Sequence, residues 1–446
     1  MKDYQAFIQR KSQCGGMTGF EPVWMPDFLF DFQRNLVDWS IRKGRAALFC
    51  DCGLGKSPMQ LTWAENVCRK ENGKSLIIAP LAVSAQTERE GEKFGIDCKQ
   101  SRIGKPMDRI TVTNYEQLHR FNPADFVAVV CDESSILKNY SGKLRTEIIA
   151  FMQRVKYRLL CSATPSPNDY TELGNSVEAL GISRRVEMLA NYFIHDAGDT
   201  GKWRIKGHGA NPFWRFVVSW ARAVKSPSDL GFDNGKFTLP PLTYEMHVLK
   251  STPLSGYLFP IAAVTLDDQR QERRETIEER CGLVAEIANR NNEPFAAWCS
   301  LNSESEMMAK MINGAVEITG RHPDEERAEA MLAFSRGEIR AIVSKPSLCG
   351  HGMNWQHCRN TSFFPSHSHE QFYQAIRRFW RFGQTEPVTA HIVTTEAESA
   401  VLQNLMEKEK RAEEMFSAIV ANMKEFYSSA KSLYEPQKAM EIPQWL

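Results

Sequence analysis

The chain has 446 residues, enough for two or three domains with separate cores. Its composition, 42% hydrophobic and 24% charged, is that of a globular protein, and no apolar run reaches the ~20 residues of a membrane span. Net charge is +1, so a polyanion must be held by a local patch, and the eleven cysteines, odd in number and sparse, read as free thiols in a reducing, cytoplasmic setting. The N-terminal "MKDYQAFIQRKSQCGG" lacks the apolar core of a secretion signal.

In chain order, "LFDFQRN" comes first and sets aromatics, Phe30 among them, beside Gln33, a pairing suited to stacking on and reading adenine. The strand "AALFC" then runs into "DCGLGKSP". Gly53, Leu54 and Gly55 would turn the backbone toward an anion, Lys56 would reach its outer phosphates, and Ser57 would ligate Mg²⁺. Pro58 suits the first turn of the following helix. The strands "SLIIAPL", "RITVTN", "FVAVVCDE" and "YRLLCSATP" follow, separated by helical segments, which predicts a parallel sheet covered by helices. At one strand end Asp132 would hold Mg²⁺ through water and Glu133 would deprotonate a water; at the next, Ser162, Ala163 and Thr164 would report on the phosphate.

Residues 181–241 change character. Six Lys or Arg and no acid lie between Gly201 and Ser228, interleaved with tryptophans and phenylalanines. This predicts a helical basic-aromatic insert that grips nucleic acid through Lys202, Arg204, Lys206 and Trp214. The alternative is a hairpin whose aromatics pack on the first lobe. A second run of strands, "PFAAWCS", "AVEITG", "IRAIVSK", "NTSFFPS" and "VTAHIVTT", predicts a second α/β lobe. Its "QAIRRFWRFGQ" puts Arg378 and Arg381 on one helix face, where they could meet a phosphate as arginine fingers. Cys349, His351, His357 and Cys358 have irregular spacing for zinc. Residues from 397 onward form a long amphipathic helix, a brace between lobes or a partner surface.

Taken together and in order, these segments resemble the superfamily 2 helicases, most closely the Swi/Snf-like DNA-dependent ATPases. "LFDFQ" is similar to that branch's adenine motif and "CDCGLGKS" to its phosphate loop, which also lacks the first glycine. "LIIAPLAVSAQTERE", "TVTNYEQL", "DESSILKNYSGKLRT" and "RLLCSATPSPNDYTEL" follow its next motifs. "SKPSLCGHGMNWQ" resembles motif V, and Gln374, Arg378, Arg381, Gly383 and Gln384 match motif VI. Ser134 and Ser135 stand where the family has Ala-His.

The resemblance implies two tandem RecA-like lobes with boundaries near 29–180 and 242–396, an N-terminal extension at 1–28, the insert at 181–241 and a C-terminal brace at 397–446. It implies ATP with Mg²⁺ in the cleft, Gly352 and Asn354 facing the nucleotide and Gln374 coupling the lobes. DNA, duplex or forked, would lie near Pro80, Thr113, Asn114, Ser344 and Gly350, with RNA as an alternative polymer. The implied function is that of an ATP-dependent helicase or translocase, monomeric and of the compact form found in bacteriophages. A duplex-stimulated remodelling ATPase is the first alternative. A P-loop phosphotransferase and a non-hydrolysing binding module are the others, but neither explains the second lobe's arginines together with an intact Lys56 and Glu133.

Overall fold

The computed structural model describes residues 16–107, 109–138, 142–196, 199–250, 266–349, 354–366 and 368–434. Gly350, Gly352 and His351 therefore lie outside the described residues, as does the side chain of Lys202.

The first lobe is built on a seven-stranded sheet of β1 (Arg45–Cys50), β2 (Ser75–Ala79), β3 (Cys98–Gln100), β4 (Ile110–Asn114), β5 (Ala128–Cys131), β6 (Tyr157–Ser162) and β9 (Ala221–Val224). The spatial order is β3-β4-β2-β5-β6-β1-β9, with every pairing parallel. A parallel sheet is covered on both faces, so its strands read as continuous apolar runs. β1, β2 and β4 to β6 have almost every residue buried. Separate apolar clusters fill the two sides of this sheet. Between β6 and β9 the chain makes a two-stranded antiparallel ribbon of β7 (Phe193–Asp196) and β8 (Asp199–Ile205).

The second lobe has a six-stranded parallel sheet of β10 (Leu242–Leu249), β11 (Phe295–Trp298), β12 (Ala315–Ile318), β13 (Ala341–Ser344), β14 (Asn360–Phe363) and β15 (Val388–Thr395). The order is β10-β15-β14-β11-β13-β12. The fold is thus α/β with two RecA-like lobes and a C-terminal helix.

Residues 181–241 are not a separate insert. β9 pairs with β1, and the helix Ala210–Val218 buries Phe213, Trp214, Phe216 and Val217 in the first lobe's core. The helical spacing of those aromatics is the signature of a core face, and burial of several large rings outweighs the basic residues around them. Trp214 is 7% exposed and packs edge-on to Tyr170, so it is not a platform for nucleic acid. Lys206 is likewise engaged, donating to the carbonyls of Ala190 and Asn191 at 2.8 and 2.9 Å, the open C-terminal end of the helix Arg185–Tyr192. Arg204 on β8 is exposed.

The helix Ser399–Tyr434 crosses both lobes. Leu405 belongs to the second lobe's core, while Met415, Phe416, Ile419 and Met423 belong to the first lobe's. These five apolar residues are spent on the protein itself. Among the described residues no helix is long and apolar enough to cross a membrane.

Candidate active site between the lobes

β1 ends at Cys50, and the turn that follows carries two residues in the left-handed region, Gly53 at φ 87° and Gly55 at φ 75°. At both, glycine is required twice over. A Cβ on Gly53 would come within 2.7 Å of the Phe382 backbone nitrogen in the other lobe, and one on Gly55 within 2.3 Å of the Gln33 amide. The helix Lys56–Glu71 starts there, so its free N–H groups face the cleft.

Lys56 Nζ donates to the Cys50 carbonyl at 3.1 Å. Burial alone would lower its pKa, but Cys52, Glu133 and Asp132 outweigh that and hold the ammonium above its usual range. Burial pushes the Cys50 thiol up to about 12 and raises Cys52 as well, which disfavours a reactive thiolate at either position.

β5 delivers Asp132 and Glu133. Asp132 Oδ1 accepts from Gln60 Nε2 at 2.6 Å. Burial, then the adjacent Glu133, pushes its pKa up to about 6 against the pull of Gln60 and Lys56. Glu133 has φ 45°, unusual for a residue with a side chain. The Tyr115 hydroxyl, donating to the carbonyls of both Asp132 and Glu133, fixes that turn from below. Ser162 Oγ and Gln374 Nε2 each lie 3.5 Å from Glu133 Oε2, one from each lobe. Ser162 Oγ also accepts from the Thr164 backbone at 3.0 Å, and Ala163 is buried beside it.

The second lobe meets these groups directly. Phe30, Gln33, Gly53, Gly55, Lys56, Ser57, Asp132, Glu133, Asn354, Gln374, Arg378 and Arg381 all line one cavity of about 380 Å³, within the size range of ligand pockets. Burial lowers the pKa of Arg381, and burial together with the Arg381 charge lowers that of Arg378. Leu54 instead points into the core, 4% exposed.

Five positions were not legible in the sequence. Arg377, next to the two arginines singled out there, makes an ion pair at 3.1 Å with Asp51, which precedes the phosphate-binding turn. The Tyr373 hydroxyl donates to the other Asp51 oxygen at 2.5 Å. Asp51 and Tyr373 raise Arg377's pKa despite its burial. Phe382 and Phe237 join Phe30 in an aromatic group at the cavity rim, with centroids 4.7–6.5 Å apart. Gln33 is engaged at both ends of its amide. Its Oε1 accepts from the Phe30 backbone at 3.0 Å and its Nε2 donates to the Leu54 carbonyl at 2.9 Å, so it braces the loop.

The polymer-facing residues expected from the sequence are placed differently. Pro80, Asn114 and Ser344 stand at C-terminal strand ends, the expected edge of each sheet. Thr113 and Ser344 are nevertheless buried, and Ser344 Oγ donates to the Ile318 carbonyl at 2.8 Å. Asn114, 4% exposed, donates to Glu116 at 2.6 Å. Ser344 and Asn114 thus spend their polar groups on local hydrogen bonds, while Thr113 is buried within the sheet.

No protein-family model matches the chain. Over 180 residues, 36% of its length, it is 25% identical to the mouse (Mus musculus) DNA annealing helicase and endonuclease ZRANB3, and it spans only 17% of that protein. The solved Sulfolobus solfataricus SWI2/SNF2 ATPase core in complex with dsDNA aligns with 94% of this chain and 99% of its own, at 17% identity and a TM-score of 0.43. Motif order, the paired RecA-like lobes and the partial likeness to an annealing helicase agree: the chain resembles the Snf-like superfamily 2 ATPases.

Proposed function

We propose that the chain hydrolyses ATP in the cleft between its lobes and uses closure of that cleft to move along duplex DNA. The observation that carries this is the convergence of Lys56, Asp132 and Glu133 from one lobe with Gln374, Arg378 and Arg381 from the other on a single cavity. Lys56 and the backbone N–H groups of residues 53–57 would hold the outer phosphates. Ser57 and Asp132 suit Mg²⁺, since a buried carboxyl beside a hydroxyl at a helix start is a hard-oxygen site, and the ion would supply charge neutralisation on the phosphates. Glu133 would orient and deprotonate the attacking water, and Arg378 and Arg381 would stabilise charge on the transferred phosphoryl group. The Phe30, Phe237 and Phe382 rings would stack on the base.

Because Glu133 sits within reach of both Ser162 and Gln374, loss of the γ-phosphate would be felt by both lobes. Burial of Trp214 and Trp220 removes two of the candidate wedges for strand separation, which supports tracking along a duplex. The test is ATP turnover with duplex DNA, single-stranded DNA and RNA, alongside displacement of a third strand from a triplex. Duplex-stimulated turnover with triplex displacement is expected. Stimulation by RNA alone, or none by any polymer, would refute the proposal.

A further inference from the structure

At the β10 edge of the second sheet three side chains converge. β10 pairs with β15 in parallel with Glu245 opposite His391 and His247 opposite Val393. Glu245 and His247 are two apart on one strand and so share a face. His391 Nδ1 lies 3.2 Å from His247 Nε2 and 3.2 Å from Glu245 Oε2. The remaining separation, His247 Nε2 to Glu245 Oε2, is 3.9 Å.

We propose that Glu245, His247 and His391 bind one divalent transition-metal ion of the zinc class. An ion about 2.0–2.1 Å from two ring nitrogens at a tetrahedral angle separates them by about 3.3 Å, close to the spacing found. The alternative is a hydrogen-bonded cluster in which a proton on His391 Nδ1 is shared between the Glu245 carboxylate and His247 Nε2, each 3.2 Å away, and metal binding is what separates the two. Two imidazoles and one carboxylate are the donor set that zinc takes when a fourth position stays open. His391 is 7% exposed, held by the sheet and flanked by the Phe295 ring, while the Glu245 side chain keeps 50% of its exposure and can swing to close the 3.9 Å gap. Arg290, the nearby cation, is engaged with Glu286 at 3.3 Å.

The ion would act as a clip. Among the described residues β10 is the sheet's edge strand, paired on one side, and it is the strand by which the chain enters the second lobe. Fastening Glu245 and His247 to β15 would hold that edge by side chains as well as by its hydrogen bonds. This inference does not depend on the proposed ATPase activity.

The full chain, stripped with a chelator and kept in excess Mg²⁺, is titrated with ZnCl₂ beside His247→Ala and Glu245→Gln variants. Free cysteines elsewhere can take zinc, so the reading is the difference between the parent and the variants. The parent should bind one more equivalent than His247→Ala, or bind it at least tenfold more tightly, and zinc should raise its melting temperature but not that of the variant. Glu245→Gln removes a charge from a half-exposed side chain with no packing change, and should weaken the same equivalent. Identical stoichiometry and affinity in all three proteins, or no zinc bound by the parent, would overturn the proposal and leave a histidine-histidine hydrogen bond.

Discussion

Asp51→Asn should open the molecule. The Asp51–Arg377 pair spans the lobes, and its side chains retain 11% and 13% exposure. Removing one charge leaves the Arg377 guanidinium buried against an uncharged amide, and breaking a buried pair from one side costs about 3–5 kcal/mol. The residual exposure places this pair near the lower end, about 3 kcal/mol. Opening the cleft rehydrates both groups, so the cost falls on the closed arrangement more than on folding. At about 1.4 kcal/mol per decade, the closed population drops on the order of a hundredfold relative to the open one. The assays are small-angle scattering, which should show an expanded particle, and ATP turnover, where kcat/KM should fall by about ten- to a hundredfold. Arg377→Met should behave alike, and the double variant should recover much of the loss, a coupling of about 2 kcal/mol or more. Unchanged scattering together with a coupling below about 0.5 kcal/mol would show that the contact does not govern closure.

The raised pKa of Asp132, about 6, gives an acid limb. Its folded value lies above the unfolded one, so burying the charged form costs stability above about pH 6 and that cost is relieved as pH falls toward the unfolded value of 3.8. The kcat/KM for ATP should therefore drop below about pH 6 as the carboxylate is protonated, and a profile flat down to pH 5 would contradict this. Gly53→Ala, whose Cβ would meet the Phe382 backbone nitrogen at 2.7 Å, should reduce turnover sharply and, because alanine is strained at this positive φ, also lower the melting temperature; normal turnover would place the lobes further apart. Trp214→Ala should cost about 3–5 kcal/mol of stability by denaturant titration, as a buried ring does, and a stable variant with weakened DNA binding would restore the platform reading.

Much of the fold is legible because a parallel sheet writes itself as buried apolar runs ended by chemistry-bearing residues: Cys50 before the phosphate turn, Cys131 before Asp132 and Glu133. The site's outline follows from those strand ends. Its finer wiring does not. Arg377 reads like its neighbour Arg378, and only the orientation of the helix His369–Ile376 and the residues after it aims one at Asp51 and the other into the cavity. The basic residues of 202–225 gave a local charge signal, whereas the destination of the Phe213, Trp214 and Phe216 rings depends on β9 closing onto β1, a pairing across about 170 residues of chain. Thr113 and Ser344 sit on the expected sheet edge but are buried, and Ser344 spends its hydroxyl on the Ile318 carbonyl, a placement set by which way each strand's alternation falls.

The most direct measurement is single-turnover ATP hydrolysis by Arg381→Ala beside the affinity of the same protein for a fluorescent ATP analogue. If guanidinium groups of the second lobe complete a site founded on Lys56, hydrolysis should fall by roughly 10³-fold or more while analogue affinity changes by less than about tenfold. Hydrolysis at the parental rate would mean that the first lobe works alone and that the cleft between the lobes is not the active site.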